Sequence, residues 1–299
     1  MSTTTGAVLV TGASSGMGKA CALRLARAGY TVFAGVRKER DAQSLKQEGS
    51  ARLIPVILDV TDEHSIAEAY RRIHDAVGAA GLVGLVNNAG VGVTGPIELT
   101  PLDELRRQYE INVIGQVAVT QAFLPLIRAA RGRLINVGSV GGKITLPFGG
   151  PLCSSKYAIE SVNDALRMEL RTWGIYVVLV APGSIRTPAV DKLVTDSEAM
   201  VNTFPPEGKA RYAATYRSFV QAFLKLEEEG VGPEVMAETV YRALTARTPK
   251  NRYPVGPKSR LLALLGVWLP TGVLDIVRTR LFRVYQPFGS AIESPSALS

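Results

Sequence analysis

With 299 residues, 46% of them hydrophobic and 20% charged, the chain has the make-up of an ordinary soluble protein, long enough to bury a core without disulfide or metal support. Cys21 and Cys153 lie far apart and match no metal-ligand or redox spacing, which excludes a disulfide scaffold and a zinc module and makes a reducing cytosol the expected location. The formal net charge of +8 accompanies no nucleic-acid-binding module, so nucleic acid is not an expected partner.

The stretch Met1–Gly6 is short and polar and carries no visible secretory signal. From there, apolar runs of strand length alternate with longer segments of helical period. Ala7–Thr11 reads as a strand, and Gly18–Ala28 as a helix whose apolar face holds Ala20, Leu23, Leu25 and Ala26. Thr31–Val36 is a second strand, about Arg40 to Glu48 a polar helix, Leu53–Leu58 a third strand and about Asp62 to Ala80 a helix. Val83–Val86, Arg133–Val137 and Tyr176–Ala181 add three strands, separated by helices over about 104–130 and 152–172. This alternation predicts an α/β fold with a doubly wound parallel sheet covered on both faces. No linker, low-complexity tract or repeat marks a second domain. The expectation is one Rossmann domain over 1–299, with a core of 6–188 and 231–256, an insertion at 189–230 and a C-terminal helical extension at 257–299.

The insertion holds two helical pieces around Pro205–Pro206 and presents Phe204, Tyr212, Tyr216, Phe219 and Phe223, beyond a strand's carboxyl end where open α/β sheets bind ligands. A last strand is expected around Arg252–Val255. Between Arg247 and Arg283 eight basic residues face a single acid, Asp275, and they are interleaved with Leu261, Leu262, Leu264, Leu265, Val267 and Trp268. The run Leu261–Leu274 is too short and too broken for a spanning helix, which needs roughly 20 apolar residues. A lid or subunit-contact segment with solvated basic flanks is the simpler expectation, and peripheral contact of 257–283 with an anionic membrane surface is the other.

Chemistry concentrates at Thr11-Gly12-Ala13-Ser14-Ser15-Gly16-Met17-Gly18, between the first strand and the first helix. Its glycines let the backbone approach a pyrophosphate, and the helix N-terminus offers unpaired N–H groups to an anion. The order T-G-x-x-x-G-x-G resembles the short-chain dehydrogenase/reductase family, in its classical type. Asn87-Asn88-Ala89-Gly90 is similar to the family's N-N-A-G, and Asn112-Val113 with Gly115 to its N-V-x-G. Ser139 matches its catalytic serine, and Pro182-Gly183-Ser184-Ile185-Arg186-Thr187 matches its P-G-x-x-x-T segment. The motifs keep the family's order over residues 7–188.

The resemblance implies a reversible NADP(H)-linked interconversion of an alcohol with a ketone or aldehyde. Ser139 would hold the substrate oxygen, Asn112 a proton-relay water, and Lys156 the nicotinamide ribose. Gly12, Ser14, Ser15, Gly16, Met17, Gly18, Asp59, Val60, Asn88, Ala89, Gly90, Pro182, Gly183, Ile185 and Thr187 would surround the cofactor. NAD-specific relatives end the second strand with Asp; here Val36 stands there, followed by Arg37, Lys38 and Arg40. A guanidinium without a competing carboxylate suits a ribose 2′-phosphate, so Arg37 favours NADP(H) over NAD(H). A homodimer or homotetramer through the helices at 104–130 and 152–172 follows from the same resemblance. The aromatic insertion and Leu-rich C-terminus resemble members acting on steroid or retinoid alcohols, so the expected partner is a bulky hydrophobic carbonyl or alcohol.

One position departs. The family places a Tyr four residues before the Lys, one helical turn away, where the Lys⁺ lowers its pKa from ~10 towards neutrality so that it can move the substrate proton. Counting back four from Lys156, or forward thirteen from Ser139, reaches Leu152. Tyr157 points elsewhere on the helix and is expected in helix packing; Tyr212 or Tyr216 folding over the pocket, or a water held by Ser139 and Lys156, are the alternative proton sources. The intact surroundings fit a recent loss, natural or introduced. The expectation is weak turnover with cofactor binding kept, or, as rivals, a non-catalytic NADP-binding protein or an enzyme of non-redox chemistry. His64 and His74, with Asp103-Glu104 and Glu227-Glu228-Glu229, read as solvated or helix-end charges, not metal ligands or an acid/base pair.

Overall fold

In the computed structural model, which describes residues 6–286, seven segments pair as strands: β1 (Ala7–Val10), β2 (Thr31–Val36), β3 (Leu53–Ile57), β4 (Gly84–Asn87), β5 (Arg133–Val137), β6 (Tyr176–Pro182) and β7 (Arg252–Val255). All pairings are parallel, in the order β3-β2-β1-β4-β5-β6-β7. Strands buried on both faces need apolar residues on both, and β1 shows why its unbroken AVLV run suits them. Val8 and Val10 face a core with Cys21, Leu25, Met236 and Val240, while Ala7 and Leu9 face a second core with Ile73, Phe123 and Ile127.

The first core lies under α1 (Gly16–Arg27), α2 (Glu39–Glu48) and α9 (Pro233–Thr245). The second lies under α3 (Glu63–Val77) and α5 (Gly115–Ala130), with α4 (Leu102–Tyr109) leading into α5 and α6 (Gly150–Glu169) beside it. The helix expected over 104–130 is interrupted by a π-helical turn at Glu110–Ile114. Gly115, which follows it, lets the helix approach the loop after β3: a Cβ there would meet the Val60 carbonyl at 2.7 Å. By length and composition Leu102–Ala130 could cross a membrane, but Val119, Phe123, Leu126 and Ile127 are buried in the second core, as in a core helix.

The insertion forms α7 (Pro188–Asn202) and α8 (Pro206–Glu228), broken at Pro205–Pro206 as their missing N–H groups dictate. Phe204, Tyr216 and Phe219 make a third core with Phe148 and with Phe282, which follows α11 (Thr271–Leu281). Ahead of it, α10 (Ser259–Trp268) lies on the chain at Gly266, where a Cβ would stand 2.3 Å from the Lys143 carbonyl. Residues 287–299 of the expected 257–299 extension, and residues 1–5, lie outside the described residues. β7 is tied to α6 by Arg252, which donates to Glu160 (2.6 Å) and Asp164 (2.8 Å).

Candidate active site

Strand order reverses between β1 and β4, so their carboxyl ends open onto a crevice where such sheets bind ligands. A cleft of about 260 Å³ occupies it, lined by Gly12, Ser14, Ser15, Gly16, Met17, Gly18, Arg37, Asp59, Val60, Asn88, Ala89, Gly90 and Thr187. Gly35, Leu58, Val91, Ile111 and Pro188 line it as well; scattered over β2, the loops after β3 and β4, the turn at 110–114 and the start of α7, they carry no motif by which the sequence could mark them. Gly12 has φ +64°, and a Cβ on it would sit 2.8 Å from Ala89 Cα; a Cβ on Gly18 would sit 2.2 Å from the Gly12 carbonyl. Both places therefore require glycine. Asn88 holds the turn closed, its amide donating to the Thr11 and Gly12 carbonyls at 3.0 and 3.2 Å.

Ser15 caps α1 without using its side chain, and the first turn contains no acid. Its N–H groups and dipole thus face the cleft with no internal anion competing. Arg37 is exposed at the end of β2, and among the described residues it makes no hydrogen bond or ion pair. Asp59 spends one oxygen on Thr61, at 3.0 Å from the backbone N–H and 2.8 Å from the hydroxyl. Glycines that admit a diphosphate backbone, an acid-free helix start and a free guanidinium fit a phosphorylated dinucleotide.

At the inner end, α6 carries Leu152 and Lys156 one turn apart. Lys156 Nζ donates to the Val137 carbonyl at 3.2 Å and lies 3.8 Å from where a Gly90 Cβ would be. Enclosure of its ammonium pulls the pKa from the ordinary 10.5 down to about 8. Ser139 begins the short turn after β5: its hydroxyl accepts the Gly141 N–H at 3.0 Å and reaches the Pro182 carbonyl at 3.4 Å. Asn112, buried in the π turn, accepts the Val91 N–H (2.8 Å) and donates to the Val91 carbonyl (2.9 Å) and Ser155 Oγ (3.0 Å). Both its N–H donors are engaged by the protein, so its side chain pins loop and helix together.

Pro182, Gly183 and Ile185 do not line the cleft. Gly183 donates its N–H to the Val255 carbonyl at 2.9 Å, and Ile185 is buried in the first core. The Ile185 N–H is taken by Glu227 at 3.2 Å, which corrects the expectation that Glu227 is a solvated charge. Burial lifts its carboxyl to about 7. Sequence could not signal this, because Glu228 and Glu229 beside it look identical and only the docking of α8 on the segment after β6 distinguishes them.

No nearby phenol replaces the missing one. Tyr157 is 42% exposed rather than packed, and partial burial raises its pKa. Tyr212 donates to Glu98 at 2.6 Å, which raises it, and buried Tyr216 donates to the Thr94 carbonyl at 2.9 Å. Tyr216 instead lines a second cavity of about 310 Å³ between α4 and α7, with Gly92, Val93, Leu193 and Met200. Gly92 connects this cavity to Leu152, whose methyl groups stand 3.7 and 3.9 Å from where its Cβ would be.

Residues 6–198 match the family described as short chain dehydrogenase. The chain is 36% identical over 281 residues to "Retinol dehydrogenase 5" of Mus musculus, covering 91% of this chain and 87% of that protein. It is also 36% identical over 272 residues to "NADPH-dependent 3-dehydrocapnine reductase" of Ornithobacterium rhinotracheale, covering 89% and 94%. Among solved structures it resembles a short-chain dehydrogenase from Streptomyces avermitilis, with a TM-score of 0.71, 28% identity and coverage of 93% and 95%.

Proposed function

The chain belongs to the short-chain dehydrogenase family of nicotinamide-dependent oxidoreductases, and we propose that it uses NADP(H) on a bulky apolar secondary alcohol or ketone, with turnover impaired by Leu152. The observation that carries this reading is a glycine-walled cleft with Arg37, unpaired among the described residues, at one end and Gly90 at the other, where the Lys156 amino group lies 3.8 Å from the place a Gly90 Cβ would occupy. The second cavity sets Leu193, Met200 and Tyr216 alongside Glu104, Arg107 and Asp196, and its apolar members, with a relative named for retinol, support a substrate that is largely apolar.

The α1 N–H groups and Ser15 bind the pyrophosphate, and Arg37 binds the 2′-phosphate. Lys156 holds the nicotinamide ribose. Ser139 donates a hydrogen bond to the carbonyl oxygen and polarises it. When bound there, a nicotinamide would supply hydride chemistry to the carbon beside that oxygen. Leu152 has no proton to give at the oxygen, so the proton comes from water reaching Ser139 and Lys156. The molecule works in the cytoplasm as a dimer or tetramer, for which the exposed Leu102, Ile114 and Met168 on the helices at 102–130 and 150–169 supply apolar contact.

A second reading, a cofactor-binding protein without turnover, is favoured by Leu152 alone. NADPH titration and a panel of bulky ketones, run on this chain and on Leu152→Tyr, separate the two. Turnover restored by tyrosine supports the oxidoreductase reading. NADPH binding without turnover in either protein overturns it.

A further inference from the structure

The C-terminal helices expose more apolar surface than their packing explains. Of the nineteen large hydrophobic side chains exposed among the described residues, nine fall within 261–285. On α10 these are Leu261, Leu264, Val267 and Trp268, the last 79% exposed; Val273 and Val277 continue the surface on α11. The helices are nonetheless anchored. Gly266 lies against Lys143, Arg278 donates to the Thr145 carbonyl at 2.8 Å, and the Phe282 ring packs tilted on Phe219 with centroids 5.3 Å apart. The inward faces are thus used, and the outward ones face solvent. Lids do not require this. Contiguous exposed apolar surface flanked by polar groups marks an interaction site.

The charge around it identifies the partner. Lys258, Arg260, Arg280 and Arg283 are exposed about the apolar residues, while Asp275, the one acid in 257–286, is bonded to inward-facing Arg278. A second copy of this face would bring like charges together across the contact, which is unfavourable. An anionic bilayer meets both features: apolar side chains enter the headgroup–acyl boundary, Trp268 sits at the interface its ring prefers, and long cationic side chains remain at the phosphates. Helices of ten and eleven residues, separated at Pro270, are far too short to span and suited to lie on the surface.

We propose that α10 and α11 form a docking face for an anionic lipid surface, with Leu261, Leu264, Val267, Trp268 and Val273 buried in it and Lys258, Arg260, Arg280 and Arg283 on its phosphates. Docking does not depend on turnover. It gains a purpose from the proposed apolar substrate, because Arg278 and Gly266 join the docked helices to residues 143–145, just ahead of the segment leading to Leu152.

The test is co-sedimentation of the full chain with vesicles of phosphatidylcholine alone or with 30 mol% phosphatidylglycerol, alongside NADPH titration in solution. The expected result is association with the anionic vesicles only, weakened by 0.5 M salt. Arg280→Glu with Arg283→Glu should lower it by about tenfold or more, from the known attraction per basic residue. Trp268→Ser with Leu264→Ser should lower it comparably, and both pairs should leave NADPH affinity unchanged. Absence of association, equal association with both vesicles, or indifference to both pairs would overturn the proposal. So would a dimer in solution that Trp268→Ser with Leu264→Ser dissociates, since a second copy would then cover the face. NADPH binding reports on the cofactor reading separately, so either can fail alone.

Discussion

Leu152 lies against Gly92, with its Cδ2 atom 3.7 Å from the place a Cβ would occupy there. The half-buried leucine thus faces a residue with no side chain, one that lines the second cavity and follows Val91 of the cleft. A phenol at 152 would extend into that space one turn from Lys156, whose charge lowers a neighbouring pKa. Leu152→Tyr should therefore fold normally and raise NADPH-dependent reduction of a bulky ketone by about 10²–10⁴-fold, the usual contribution of a positioned acid. Steady-state absorbance at the nicotinamide band measures it. Gly92→Val combined with Leu152→Tyr should cancel much of the gain by filling the space.

Arg37 has no ion-pair partner among the described residues where β2 ends, and Val36 supplies no carboxylate. A charge-assisted hydrogen bond contributes roughly 1.5–3 kcal/mol. Arg37→Asp should accordingly weaken NADPH about 10- to 100-fold and leave NADH equal or tighter. Parallel fluorescence titrations of the two nucleotides decide it, and an unchanged ratio would mean that Arg37 serves only solvent.

The sequence was most readable where chemistry is local. The turn at 11–18 carries its glycines at fixed spacing, and the strand–helix alternation is set by short-range hydrophobic period, so the strands are recovered to within a residue and most helix ends to within about three. The π turn at 110–114 was not readable, since it answers to contacts of Asn112 with Val91 and Ser155, 21 and 43 residues away. Glu227 escapes the sequence for the same reason: its partner, Ile185, is 42 residues distant, and a run of three glutamates conceals which one is buried. Tyr157 carries the opposite lesson, an aromatic expected to pack that lies at the surface because α6 turns its other faces inward.

Asn112 bonds both polar groups of Val91 and the Ser155 hydroxyl from a buried position. Asn112→Ala would strand those groups away from water, at a cost of about 1–3 kcal/mol for each left unpaired. Urea unfolding should show a loss of several kcal/mol, and NADPH affinity should fall because Val91 lines the cleft. Asn112→Asp keeps the acceptor for the Val91 N–H and loses both donors, so it should be no better tolerated.

Glu227 titrates in the folded chain at about 7, above the ordinary 4.5, because burial disfavours its charge more than the Ile185 N–H and Ser184 compensate. Between these values the folded state holds a proton that the unfolded state has released. Stability from this group is therefore full below pH 4.5 and is lost as pH rises through 7. Glu227→Gln keeps an oxygen for the Ile185 N–H and removes the charge. It should raise the melting temperature at pH 8 and change it little at pH 5. Melting curves at the two pH values test this directly: an equal effect at both would mean that the carboxyl is not held protonated against β6, and a loss at pH 8 would mean that its charge, rather than its hydrogen bond, is what fastens α8 to the segment after β6.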